Sequence, residues 1–109
     1  MRRGEVWWAD LPKPAGRRPV LLLSRDTAYE VRTSVTVAPI TRKIRSIPTE
    51  VRLGKEDGMP EECVANLDKI LTIPKSALSE RLTVLAPDKM ARIEKAVPFD
   101  LDLDVQSDD

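Results

Sequence analysis

No uninterrupted hydrophobic run in this 109-residue chain exceeds four residues, and the purely aliphatic one, residues 20–23, is opened by Arg17, Arg18 and Pro19 and closed by Ser24, Arg25 and Asp26. A short aliphatic run between polar ends reads as a buried strand. It falls far short of the roughly 20 apolar residues that span a bilayer, so no membrane segment is expected. An arginine pair at the mouth of such a strand suits a phosphodiester. The chain has no histidine, so any catalysis there runs without the ordinary proton shuttle of neutral pH.

Local pattern then divides the chain. Residues 4–11 alternate loosely and hold both tryptophans, a first strand closed by the turn formers Pro12, Pro14 and Gly16. Residues 18–25 form the buried strand and 26–32 a polar connection. Residues 34–40 are β-branched with period two, a third strand expected to bulge or end at Pro39, which cannot donate to a ladder. A basic loop (42–48), a strand (49–53) and an exposed turn (54–60) follow. Residues 62–67 and 69–73 read as a strand pair or as one bent strand, 74–79 as a short helical turn and 81–85 as a last strand. Pro87 and Asp88 open a carboxy-terminal helix with Met90, Ile93 and Val97 on one face, poorly capped by Ala86 and stopped by Pro98. The expected fold is mostly β with a carboxy-terminal α-helix, a small, strongly bent barrel or sandwich.

Length and a 41% hydrophobic content fit one domain, residues 1–99, with a flexible acidic tail over 100–109. Five aspartates in that tail hide the charge of the rest, where 18 basic and 13 acidic side chains leave +5. Arg17, Arg18, Arg25, Arg32, Arg42, Lys43 and Arg45 face only Asp26 and Glu30 within positions 17–45. That segment reads either as a polyanion site or as solvated strand edges.

Cys63 is the only cysteine, so neither an intrachain disulfide nor a structural zinc cluster is available, and a buried, inert thiol is expected. Four glycines, at positions 4, 16, 54 and 58, form neither a dinucleotide fingerprint nor a P-loop. No acid is followed two positions later by lysine, although Asp10, Asp26, Glu50 and Asp68 could converge on Mg²⁺. What remains is arginine beside hydroxyl groups. Trp7 and Trp8 fall on opposite strand faces, one for the core and the other for packing or base stacking.

Five blocks in order, RGEVWWADLP (3–12), GRRPVLLLS (16–24), VTVAPIT (35–41), PTEV (48–51) and GMPEECVANLDKI (58–70), resemble the MazF/PemK toxin family over nearly the whole chain. The resemblance implies an SH3-like barrel, a homodimer in the cytoplasm, and a toxin-antitoxin partner. It also implies an endoribonuclease that cuts single-stranded mRNA without metal or other cofactor, by attack of the 2′-hydroxyl on the adjacent phosphate. On the family pattern the catalytic arginine precedes the proline of the second strand, which is Arg18, and the catalytic threonine closes the third strand, which is Thr41. Arg17, Ser24, Arg25, Asp68 and Lys69 fall at positions suited to RNA contact, Arg17 and Arg25 equally suited to be solvated charge. Ser24 and Arg25 replace the family's Gln or Asn, Leu71 stands where an arginine is frequent, and the 12–17 loop is short, so base preference stays open. Two other functions compete, a same-fold poison of DNA gyrase and a non-catalytic family member that only binds partners. The aspartate-rich end argues against the first.

Overall fold

The computed structural model describes residues 1–24 and 33–97. The Arg25 contact, the 26–32 connection, the Pro98 stop and the 100–109 tail lie outside the described residues.

Among the described residues seven strands pair antiparallel: β1 (Glu5–Asp10), β2 (Arg17–Leu22), β3 (Ser34–Thr41), β4 (Glu50–Leu53), β5 (Cys63–Asn66), β6 (Leu71–Pro74) and β7 (Leu78–Val84). Their order is β4-β5-β3-β2-β1-β7, with β6 also on β3. Helix α1 (Pro87–Ala96) closes the described chain. This strongly bent antiparallel sheet with one terminal helix is the expected architecture.

Strand β3 organises the sheet. One edge pairs with β2 (Val20 opposite Pro39, Leu22 opposite Val37), while the other carries β6 from Ser34 to Val37 and then β5 at Ile40 and Thr41. β5 and β6 are thus one bent strand along a single edge, broken by the 3-10 turn Leu67–Lys69, whose Asp68 N–H is capped by the Asn66 side chain. The strand runs on to Thr41, although its pairing with β2 stops at Pro39. Thr36 turns both its N–H, to Ser24 Oγ (2.8 Å), and its C=O, to Leu23 N–H (2.9 Å), toward β2. Alternation therefore aims the Pro39 nitrogen at the opposite edge, in the gap where β6 gives way to β5, so its missing donor leaves no ladder bond unmade.

Alternation also sorts the core onto two faces. Ala9, Val20, Leu22, Val35, Val37 and Ile73 pack on one, with Trp7 against them. Val6, Leu21, Ala38, Ile40, Met59, Cys63, Leu67 and Ile93 pack on the other. Ile93 is the one α1 residue that is fully covered. As expected, Ala86 offers no side-chain cap, and Pro87 supplies a first helical position that needs no donor. Buried Glu5 at the head of β1 accepts from Arg2 N–H (3.0 Å), Trp7 Nε1 (2.9 Å) and Arg81 (3.4 Å).

The 54–60 segment differs from its expectation as an exposed turn, since Gly54 is buried and Met59 is only 4% exposed. Its polar composition concealed two anchors. Asp57 Oδ2 accepts the Gly54 N–H (2.9 Å) and pairs with Lys89 Nζ of α1 (3.4 Å), a pair whose side chains are 8% and 13% exposed. Lys89 also donates to Arg52 O (3.0 Å), and Thr83 Oγ1 of β7 donates to Asp57 O (3.0 Å). Gly58 follows at φ +89°, so close to Thr83 that no side chain fits.

Candidate functional site

A cleft of about 510 Å³ opens where β2 begins and β3 ends. Trp8, Arg17, Arg18, Pro19, Ile40, Thr41, Arg42, Lys43, Met59, Pro60, Glu61 and Cys63 line it. Four of these side chains are cations and one is a carboxylate.

Arg18 and Thr41 lie at the same end of the sheet. The antiparallel β2–β3 pairing runs from Leu22 opposite Val37 to Val20 opposite Pro39, so the start of β2 and the end of β3 share one end, and both side chains line the cleft. There β3 has turned to pair Thr41 with Val64 of β5. Half-buried Arg18 spends its Nε on Ala15 O (3.3 Å), which orients the guanidinium and leaves its terminal amino groups for a ligand. The Thr41 hydroxyl accepts the Lys43 N–H (3.2 Å), so its own hydrogen is available to donate outward.

Arg17 is held rather than merely solvated. Its guanidinium lies 5.0 Å from the Trp8 ring centroid and reaches Ser79 Oγ and Glu80 Oε1, each at 3.2 Å. Trp8 is therefore the cleft tryptophan and Trp7 the packing one, which decides the alternative left by their spacing.

The expected RNA contacts divide. Arg17 joins Arg18 and Thr41 in the cleft, whereas Ser24, Asp68 and Lys69 do not line it. Ser24 sits past the opposite end of β2 with its hydroxyl on Thr36 N–H. Asp68 and Lys69 are exposed on the turn that follows β5 at its far end. Arg42 and Lys43, counted in the 17–45 basic segment but given no role of their own, also line the cleft, as do Met59 and Glu61, which sequence reasoning did not single out. Adjacency to Thr41 was the signal for Arg42 and Lys43, and Glu61 carried none.

Cys63 is buried beneath the cleft with its thiol pushed up to about 11, first by burial and then by the charges of Glu61, Asp57 and Glu62. It remains a thiol at neutral pH, as its inert reading requires. Among the described residues no three His, Cys, Asp or Glu side chains gather as cation ligands.

The basic loop after Thr41 is organised by Glu50. Its carboxylate accepts from Arg45 N–H (2.9 Å), Arg45 Nε (2.9 Å) and Ser46 N–H (3.1 Å), and its side chain is 1% exposed. Burial raises its pKa, but the hydrogen bonds from Arg45 and Ser46 prevail and hold it below the ordinary 4.5. A folded-state value that is lowered gives stability present above 4.5 and lost as the pH falls through the folded value. Glu50→Gln is expected to cost on the order of 1 kcal/mol at pH 7, since Arg45 is partly solvated. The deficit should shrink below pH 4.5, as urea melts of both proteins across pH would show.

A guanidinium and a hydroxyl in one cationic cleft on a bent antiparallel sheet define a small β-domain built to take a polyanion. Residues 2–99 match the family described as PemK-like, MazF-like toxin of type II toxin-antitoxin system, and the chain belongs to that family. It is 41% identical over 91 residues to the probable endoribonuclease MazF2 of Mycobacterium tuberculosis, covering 83% of this chain and 87% of the relative. It is 39% identical over 101 residues to the probable endoribonuclease MazF5 of the same organism, covering 92% of each. Among solved structures it resembles the Mycobacterium tuberculosis toxin MazF-mt6 (TM-score 0.81, 31% identity, 90% of this chain and 96% of that one). It also resembles an endoribonuclease in complex with its cognate antitoxin from Mycobacterial species (TM-score 0.82, 30% identity, 94% and 96%). No helix among the described residues is long and apolar enough to cross a membrane.

Proposed function

We propose that this chain is the toxin of a toxin-antitoxin pair and a sequence-selective endoribonuclease that cleaves single-stranded mRNA without a metal. The observation that carries the reading is the convergence of Arg18 and Thr41 on one cleft with three further cations. The 2′-hydroxyl gives its proton to solvent as its oxygen bonds to phosphorus, and the P–O5′ bond breaks with the departing oxygen taking a proton from solvent, giving a 2′,3′-cyclic phosphate and a 5′-hydroxyl. Because the nucleophile belongs to the substrate, the protein's task is to bind, align and stabilise charge. The Arg18 terminal amino groups donate to the phosphate oxygens, where negative charge grows. Arginine stays protonated, so its part is electrostatic. Thr41, its oxygen already accepting from Lys43, donates to a phosphate oxygen. Arg17, Arg42 and Lys43 hold flanking phosphates, and Trp8 offers a ring for a base. Ser24, Asp68 and Lys69 serve RNA only along a longer path beyond the cleft.

The toxin domain is residues 1–99, with 100–109 an acidic extension. It works in the cytoplasm, where its substrate is, as a homodimer. An antitoxin with an acidic, extended segment would inhibit it by occupying the same cationic cleft, in keeping with the antitoxin complex of its structural relative. Purified protein incubated with RNA in EDTA should cut it and leave 5′-hydroxyl ends. RNA that stays whole would refute the reading and leave the gyrase-poison or partner-binding alternatives. Thr41→Val should slow cleavage by about 10–100-fold, the worth of one hydrogen bond to a charged group.

A further inference from the structure

One carboxylate interrupts the cationic wall. Glu61 lines the same cleft as Arg18 and Thr41. Antiparallel pairing sets Thr41 opposite Val64, three residues beyond Glu61, so the carboxylate flanks the strand end that carries the hydroxyl. Next to four cations a fixed negative charge weakens phosphate binding, and its favourable contacts with RNA are with donors, the ribose 2′-hydroxyl and the N–H groups of the bases, of which only the base donors differ from one nucleotide to the next. It is also free to make one. Among the described residues its one hydrogen-bonded partner is Arg42, at 3.5 Å, with the two side chains 56% and 77% exposed, and so open a pair holds its members weakly. Its charge reaches the cleft floor, since after burial it is the largest cause of the raised Cys63 thiol.

Resting on the ribonuclease reading, we propose that Glu61 is a specificity-determining residue. Its carboxylate accepts a hydrogen bond from the exocyclic amino group of an RNA base seated beside the cleaved phosphate, and so selects against uracil. An ionised carboxylate only accepts. Cytosine, adenine and guanine each present an amino donor on the pairing edge of a single-stranded base, whereas uracil flanks its lone N–H with two carbonyls that a carboxylate repels.

The test is cleavage of oligoribonucleotides in which each position flanking the cut is varied through the four bases, by the parental protein, Glu61→Gln and Glu61→Ala. The parental protein should prefer an amino-bearing base over uracil at one position by about tenfold or more in kcat/KM. Glu61→Gln, whose amide both donates and accepts, should bring that ratio near unity, and Glu61→Ala should lower it too. Parental cleavage indifferent to uracil at every position would overturn the proposal, as would variants that keep the parental ratio. Faster cleavage of every RNA at an unchanged ratio would also overturn it, since Glu61 would then be a repulsive charge alone. A parental protein that cuts none of the RNAs refutes the ribonuclease reading instead.

Discussion

Arg18→Ala abolishes RNA cleavage and leaves the fold intact: kcat/KM falls by about 10²–10³-fold or more, the usual loss when one preorganised donor to a developing oxyanion is removed. Stability changes little, because the half-buried side chain contributes one hydrogen bond to the protein, to Ala15 O at 3.3 Å. Arg18→Lys is the sharper probe. It keeps the charge but loses the planar fork, so a large residual defect assigns the effect to geometry, and full recovery assigns it to charge alone. Circular dichroism of both variants beside the RNA assay separates either result from misfolding. Parental cleavage by Arg18→Ala would remove Arg18 from the reaction.

Gly58→Ala is the substitution expected to harm the fold most for its size. The residue sits at φ +89°, and a Cβ there would lie 2.8 Å from Thr83 Cβ and closer still to its hydroxyl. Left-handed strain and the steric conflict together cost about 2–4 kcal/mol, or roughly 10–25 °C in melting temperature for a domain of this size. Adding Thr83→Ala should relieve part of the conflict, so the double variant is less unstable than the two losses combined. A melting temperature within a few degrees of the parent would mean that the 54–59 turn is not pinned to β7.

The strands were legible wherever the side-chain pattern had one explanation. Residues 34–40 alternate so regularly that only a strand accounts for them, and the aliphatic run after Pro19 has no solvent-facing side. The helix was legible from Pro87 and the spacing of Met90 and Ile93. Met59 was not, because its neighbours are the charges and glycines of an ordinary loop and its burial depends on Lys89, thirty residues away. Pro39 misled for a related reason. A missing donor matters only if a partner awaits it, and which edge it faces is decided by strands that come later in the chain.

The site was legible only in part. Arg18 and Thr41 were named from a family pattern, and their sharing of one cleft emerges only once β2 and β3 are paired. Ser24 looked like a site hydroxyl from its place beside the arginine strand, but a strand carries its two ends in opposite directions, and Ser24 left with the far one. Glu61 was invisible among the surrounding acids, since nothing local distinguishes it from Glu62.

The Lys89–Asp57 pair bears on how the molecule breathes. With Ile93 as its only fully buried residue, α1 is held to the sheet far less firmly than β2 or β3, and belongs to the part of the molecule that opens below the global unfolding limit. Whenever α1 lifts, Asp57 loses its cation, and the segment bearing Met59 and Glu61 is left with its Thr83 anchor on β7. The wall of the cleft that bears Glu61 is therefore the softer one, while the wall bearing Arg18 stays anchored in the central sheet. Substrate choice can drift through changes in the helix without disturbing the reaction itself.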